Sequence, residues 1–213
     1  MPKKEAPLDY LRKFIPEGSA PLALEYLNRY HVHLTITKER KSILGDYRHA
    51  IAEKNHRISV NGSLNKYAFL ITLLHELAHL VAFLQFGNRI ASHGKEWKSI
   101  YKTILEDFIR LGIFPEDILK AFKKTLHNLP ASSCADDTLM RILKKYDSPD
   151  GDKLMIEQIA EGTLFDGGGG RIFRKGKKLR KRFQCIELAT RKIYLFSPIY
   201  EVKPLDSRNG GEE

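Results

Sequence analysis

Leu70-Ile71-Thr72-Leu73-Leu74-His75-Glu76-Leu77-Ala78-His79-Leu80 is the stretch on which the reading of this chain turns. His75 and His79 are four residues apart, so on an α-helix both imidazoles leave the same face and can close on one metal ion. Glu76 sets a carboxylate beside them, where it can take a proton from a water that the ion acidifies. Leu70, Leu73, Leu74, Leu77, Leu80, Val81 and Leu84 make this segment apolar nearly all round, which predicts a central core helix. Ionisable groups are seldom buried without partners, so a His-Glu-His cluster inside such a helix needs a metal or a hydrogen-bond network. Gly87 ends the helix, and the chain returns through residues 88–92 into His93-Gly94-Lys95-Glu96-Trp97, which brings a third imidazole after one reversal. Three protein ligands and an open fourth position make the donor set of a catalytic zinc site, whereas a structural site is closed by four. The expectation is one Zn²⁺ per chain on His75, His79 and His93, with Glu76 as general base.

Working outward, residues 7–15 read as a short amphipathic segment and residues 21–30 as a helix with Pro21 in its first turn. Strands are expected over 31–37, 43–51 and 56–60, and Ser63 or Asn65 is expected to cap the metal helix. Ser92 is expected to cap a helix over 93–111, in which Trp97 anchors His93 and Tyr101 either packs or faces the reaction. A linker with a short helix at 138–146 precedes a change to period-2 patterning. Short strands are expected there over 162–165, 171–175, 178–188 and 192–196, around turns near Gly167–Gly170, Gly176 and Ala189-Thr190.

The composition, 42% hydrophobic and 29% charged, is that of a globular chain and excludes wholesale disorder. Cys134 and Cys185 are its only cysteines, too few for a disulfide framework or a Cys-x-x-Cys knuckle, which fits a reducing cytoplasm. Residues 1–7 lead into no apolar run of signal-peptide type, and residues 67–86 carry His75, Glu76 and His79 where a bilayer would exclude them. The net charge of +10 favours a polyanionic partner. Arg171, Arg174, Lys175, Lys177, Lys178, Arg180, Lys181 and Arg182 supply eight positive residues in twelve, interleaved with Phe173 and Phe183. Such a strand pair can track a phosphate backbone while its rings stack on bases. The competing reading is a charge-protected sheet edge with both rings turned inward.

His75-Glu76-Leu77-Ala78-His79, Phe86-Gly87 and His93-Gly94-Lys95-Glu96-Trp97, with Leu44-Gly45-Asp46-Tyr47 and Ile58-Ser59-Val60-Asn61 upstream, resemble the SprT-like metallopeptidase domain found also in Spartan proteases. The resemblance covers roughly residues 20–111. It implies an α+β fold: a minimal zincin-like domain of one helix, a three-stranded sheet, the HExxH helix and the third-His helix. A small β-hairpin module would follow, resembling a zinc ribbon that has lost its ligands, because only Cys185 could correspond to a ribbon cysteine. The expected organisation is an N-terminal segment at 1–19, the metallopeptidase domain at 20–130, a linker at 131–152, a basic β module at 153–205 and a flexible tail at 206–213. A strand edge near Tyr47 is the candidate for holding an extended polypeptide. The implied function is a zinc metalloendopeptidase acting on proteins held at or crosslinked to DNA, single-stranded or duplex. A nucleic-acid-associated protein with a structural metal site, tied to transcription or stress response, is the alternative.

Overall fold

A computed structural model describes residues 8–38, 40, 43–51, 54–125, 137–148 and 152–205. The fold is α+β and divides into two compact units, Met1–Asp147 and Ser148–Glu213. The first unit runs through a 3-10 turn at Leu8–Lys13, α1 (Ala20–Arg29), β1 (His33–Thr37), β2 (Gly45–Arg48), β3 (Arg57–Asn61), α2 (Lys66–Phe86), α3 (Lys95–Ile109), α4 (Glu116–Thr125) and α5 (Asp137–Lys144).

Helix α2 organises this unit. Asn65 starts it by accepting the Ala68 N–H on its side-chain oxygen at 3.0 Å. Gly87 ends it at φ 61°, a conformation that costs glycine little, and donates its N–H to Phe83 O at 2.7 Å. Leu70, Leu73, Leu74, Leu77 and Leu80 are all fully buried, each such burial contributing about 1.5–3 kcal/mol. The helix is long and apolar enough to cross a membrane by length and composition, yet 78% of its most apolar window is buried inside the protein. Ile58 and Val60 of β3 and Trp97, Ile104, Leu105 and Phe108 of α3 join the same core.

The sheet has the order β1-β3-β2, with β1 parallel and β2 antiparallel to β3. Strand β2 therefore lies at an edge. It is shorter than residues 43–51 promised, because Ile43 and Ile51 are exposed rather than packed. Strand β1 starts at His33, not His31, whose φ of 47° leaves the extended region.

The expected boundaries shift at both ends of the first unit. Leu11 and Ile15, from the expected N-terminal segment, are core residues. The short helix expected inside a linker is α5, which packs Leu139 and Leu143 into the core. Leu143 O accepts from Asn65 Nδ2 at 2.9 Å, and Tyr146 Oη donates to Asp117 Oδ1 at 2.7 Å. The rest of that linker, at 131–136 and 149–151, and the tail at 206–213 lie outside the described residues.

The second unit is larger than a hairpin module. Strands β4 (Leu154–Met155), β5 (Leu164–Asp166), β6 (Ile172–Leu179), β7 (Arg182–Glu187), β8 (Ile193–Phe196) and β9 (Glu201–Pro204) form an antiparallel sheet of order β4-β9-β5-β6-β7-β8. Ile156, Ile159, Phe165, Phe173, Cys185 and Val202 make its core. Gly176 sits inside β6 next to a register shift instead of in a turn, and the hairpin reverses at Arg180-Lys181 with Arg180 at φ 50°.

Candidate metal centre

The rise of α2 by one turn puts His79 above His75, and α3 returns past both. His93 is not the first residue of α3, as the sequence suggested. It precedes the helix cap Gly94 with φ 63°, a left-handed conformation that no helical residue adopts. That kink turns its imidazole to the other two. The three Nε2 atoms lie 3.2 Å (His75–His79), 2.9 Å (His79–His93) and 3.1 Å (His75–His93) apart.

Neutral imidazoles cannot satisfy such a triangle alone. Each Nε2 carries either a proton or a lone pair, so at least one of the three contacts must oppose like groups. A cation between them satisfies all three lone pairs. Nitrogens bound tetrahedrally to zinc at 2.0–2.1 Å stand about 3.3 Å apart, close to the observed spacing, so these side chains could hold a metal ion. Burial, and then the neighbouring imidazoles, lower the His75 pKa to about 3; the same causes lower that of His79 to about 4. Burial, then Lys98, lowers that of His93. All three rings are therefore neutral near pH 7, the form that binds metal.

Trp97 forms the wall behind the triad. It is 1% exposed, and its ring centroid lies 4.7 Å from His75, 5.1 Å from His79 and 4.7 Å from His93. It stacks on buried Tyr101 at 5.0 Å, which gives Tyr101 a packing role. Glu76, 7% exposed, points from α2 to β2. Burial, and secondarily Asp46, raise its pKa to about 8, against opposing contributions from Arg40 and the Tyr47 backbone N–H. Gly45, Asp46 and Arg40 thus surround the carboxylate. Their residue types carry no signature of that role, and only Gly45, as a small residue in a strand, hinted at a close approach.

These shifts set how the metal-free chain responds to pH. Between pH 6.5 and about 4, the unfolded histidines bind protons that the folded ones refuse, so stability falls on acidification. Glu76 acts the other way: from pH 4.5 to about 8 the folded chain holds a proton that the unfolded one has lost. His75 and His79, helped by the lowered His93, outweigh one carboxylate below pH 6.5, and Glu76 dominates above it. Denaturant unfolding of metal-free protein is expected to show a stability maximum near pH 6.5, and a continuous gain down to pH 4.5 would contradict these assignments.

With this geometry in place, comparison with known proteins identifies the first unit. The SprT-like family model matches residues 17–115. This stretch of the chain belongs to the SprT-like family. The Protein SprT of Proteus mirabilis (strain HI4320) is 38% identical over 89 residues, covering 39% of this chain and 50% of that protein. The Protein SprT of Pseudomonas putida (strain F1) is 51% identical over 35 residues, 16% of this chain and 21% of that protein. That of Pseudomonas entomophila (strain L48) is 49% identical over a stretch of the same length. The chain thus spans half the length, or less, of these curated relatives. No solved structure matches it significantly. His75, Glu76, His79 and His93 all fall inside the SprT-like region.

The basic segment lies beyond that region, on β6 and β7, and only part of it is available to a partner. Lys175 is 6% exposed, and its Nζ donates to Ile159 O at 2.5 Å and lies 4.2 Å from the Phe183 ring centre. Arg171 is held by buried Glu187, Nε to Oε1 2.5 Å. Phe173 is 2% exposed and packs on Phe165, Tyr194 and Phe196, so it faces the core and not a base. Arg174, Lys177, Lys178, Arg180, Lys181 and Arg182 are exposed, five of them at the hairpin tip.

Proposed function

We propose that this chain is a zinc-dependent metalloendopeptidase of SprT-like type, with a zincin-like catalytic unit, that cuts proteins held at or crosslinked to DNA in the cytoplasm. One observation carries the catalytic part: three Nε2 atoms converge to within 3.2 Å, and Glu76, next to His75 on the same helix, is a buried carboxylate that is not one of them. His75, His79 and His93 would hold the zinc, which supplies Lewis acidity to a water and to the scissile carbonyl. Glu76 would serve as the general base toward the attacking water and would pass the proton to the leaving amine. A purely structural site has no use for Glu76, which disfavours the non-catalytic alternative.

The edge strand offers the substrate a place. Asn61 N–H donates to Leu44 O at 2.9 Å and Asp46 pairs with Ser59, so residues 44, 46 and 48 turn their backbone groups to β3. The Gly45 backbone and the Tyr47 carbonyl face the open side, where an extended polypeptide can add as a further strand, while the Tyr47 N–H is taken by Glu76. The Tyr47 side chain has other partners: its hydroxyl bonds His56 Nδ1 at 2.9 Å and its ring packs on Phe83. Cleavage of an unfolded model protein, with and without single-stranded DNA, by wild type but not by Glu76→Gln tests the reading.

The exposed tip of the β6–β7 hairpin supports the DNA-linked part. Replacing Lys177, Lys178, Arg180 and Lys181 by serine is expected to weaken binding and flatten its salt dependence. The log–log slope should fall by about 0.7 on single strands, and by about 0.9 on duplex, for each phosphate the variant no longer neutralises. An unchanged slope would make the tip only a solvated edge. Phe173→Ala, by contrast, is expected to destabilise the second unit by about 3–5 kcal/mol, as core truncations of this size do. Loss of DNA binding at unchanged thermal stability would contradict the inward placement of that ring.

A further inference from the structure

The Glu76 carboxylate rests against the backbone of β2. A Cβ at Gly45 would stand 2.7 Å from Glu76 Oε1, 2.9 Å from Glu76 Cγ and 2.6 Å from Thr72 Cγ2. Carbon atoms in favourable contact stand about 3.5–4.0 Å apart, so no other residue fits between β2 and α2 without moving one of them. Gly45 is not among the glycines at positive φ. Space, not backbone conformation, is what requires glycine there.

Strand β2 is held at this distance from its other side. Asn61, 1% exposed, donates from Nδ2 to Arg40 O (3.1 Å) and Ile43 O (3.0 Å), and its backbone N–H bonds Leu44 O at 2.9 Å. Its Oδ1 accepts from Arg40 Nε (2.8 Å) and Thr37 Oγ1 (3.0 Å). The two donors and two acceptor sites of the amide are all used, three of the four on Arg40 and Ile43, which lead into Gly45.

We propose that Gly45 is a positioning residue for Glu76: the space left by its absent side chain is the seat of the carboxylate, and Asn61 clamps the strand that carries this seat. The proposal deepens the peptidase reading of the same site and rests on it. It ties the upstream stretch Leu44–Tyr47 to a centre whose histidines lie on α2 and just before α3.

The test is Gly45→Ala combined with Thr72→Ser. Serine lacks the Cγ2 that the new methyl would strike but keeps the hydroxyl bond to Ala68 O, so the contact with Glu76 is the one left. Thr72→Ser alone is the control and is expected to behave as wild type. The double variant is expected to keep one zinc per chain and nearly wild-type KM while kcat falls about 10²-fold or more, the scale of a lost general base. The visible bands of the Co²⁺-loaded double variant are expected to shift to those of Glu76→Gln. Wild-type kcat together with a wild-type cobalt spectrum would overturn the proposal. If wild type itself cuts no protein, the peptidase reading fails, and the cobalt spectrum alone decides the seat. If the double variant does not fold, Asn61→Asp takes its place, since a carboxylate facing the Arg40 and Ile43 carbonyls loosens the clamp without adding a methyl. The same loss of kcat at retained zinc supports the proposal, and unchanged kcat overturns it.

Discussion

Replacing His93 is expected to strip the chain of its metal, with zinc affinity falling by more than about 100-fold, since even the loss of an outer-sphere partner costs 10–100-fold. His93→Gly is the cleaner variant. The residue sits at φ 63°, which glycine adopts without the Cβ penalty, so its loss of zinc cannot be traced to backbone strain. His93→Ala should lose the metal equally. Metal analysis of purified protein checks both, and full occupancy in either variant would remove His93 from the ligand set.

The second large effect is expected from Glu76→Gln. The carboxylate has a pKa raised to about 8 in the metal-free chain, chiefly by burial, so a neutral amide of the same shape fits its place between α2 and β2. Metal content and thermal stability should therefore stay close to wild type, while kcat falls by about 10²–10⁴, the usual contribution of a positioned general base. KM should change little, because the Gly45 backbone and the Tyr47 carbonyl that would hold the substrate are untouched. Cleavage by the Gln variant at the wild-type rate would move the proton-transfer role to another group.

What could be read from the sequence follows from how local each feature is. Helix α2 was legible because its apolar positions, its Asn65 cap and its terminal Gly87 all lie within one segment. The three histidines were legible as residues, but the position of His93 outside α3 was not, since a left-handed histidine before a glycine leaves no mark in hydrophobic periodicity. The ends of β2 were misjudged because Ile43 and Ile51 have strand-forming side chains, whereas the strand is placed by the distant Asn61 amide. In the second unit, Lys175 shares with Phe173 the inward face of β6, as residues two apart in a strand must. The irregularity between Lys175 and Lys178 interrupts that alternation, and the exposed charges cluster beyond it at the tip. Strand β4 is two residues long and β9 buries only Val202, so neither registers as a pattern; β9 is held by pairing with β4 and β5.

The central claim is that the His75–His79–His93 triad is a hydrolytic metal centre, and reconstitution tests it most directly. Protein freed of metal by chelation is titrated with Zn²⁺ while the rate of cleavage of an unfolded test protein is followed. Activity should be absent at the start, rise linearly and reach a plateau at one equivalent of zinc per chain, with Glu76→Gln binding the same equivalent and remaining inactive. Cleavage that survives complete chelation, or a zinc-saturated wild-type chain that cuts nothing, would contradict the account.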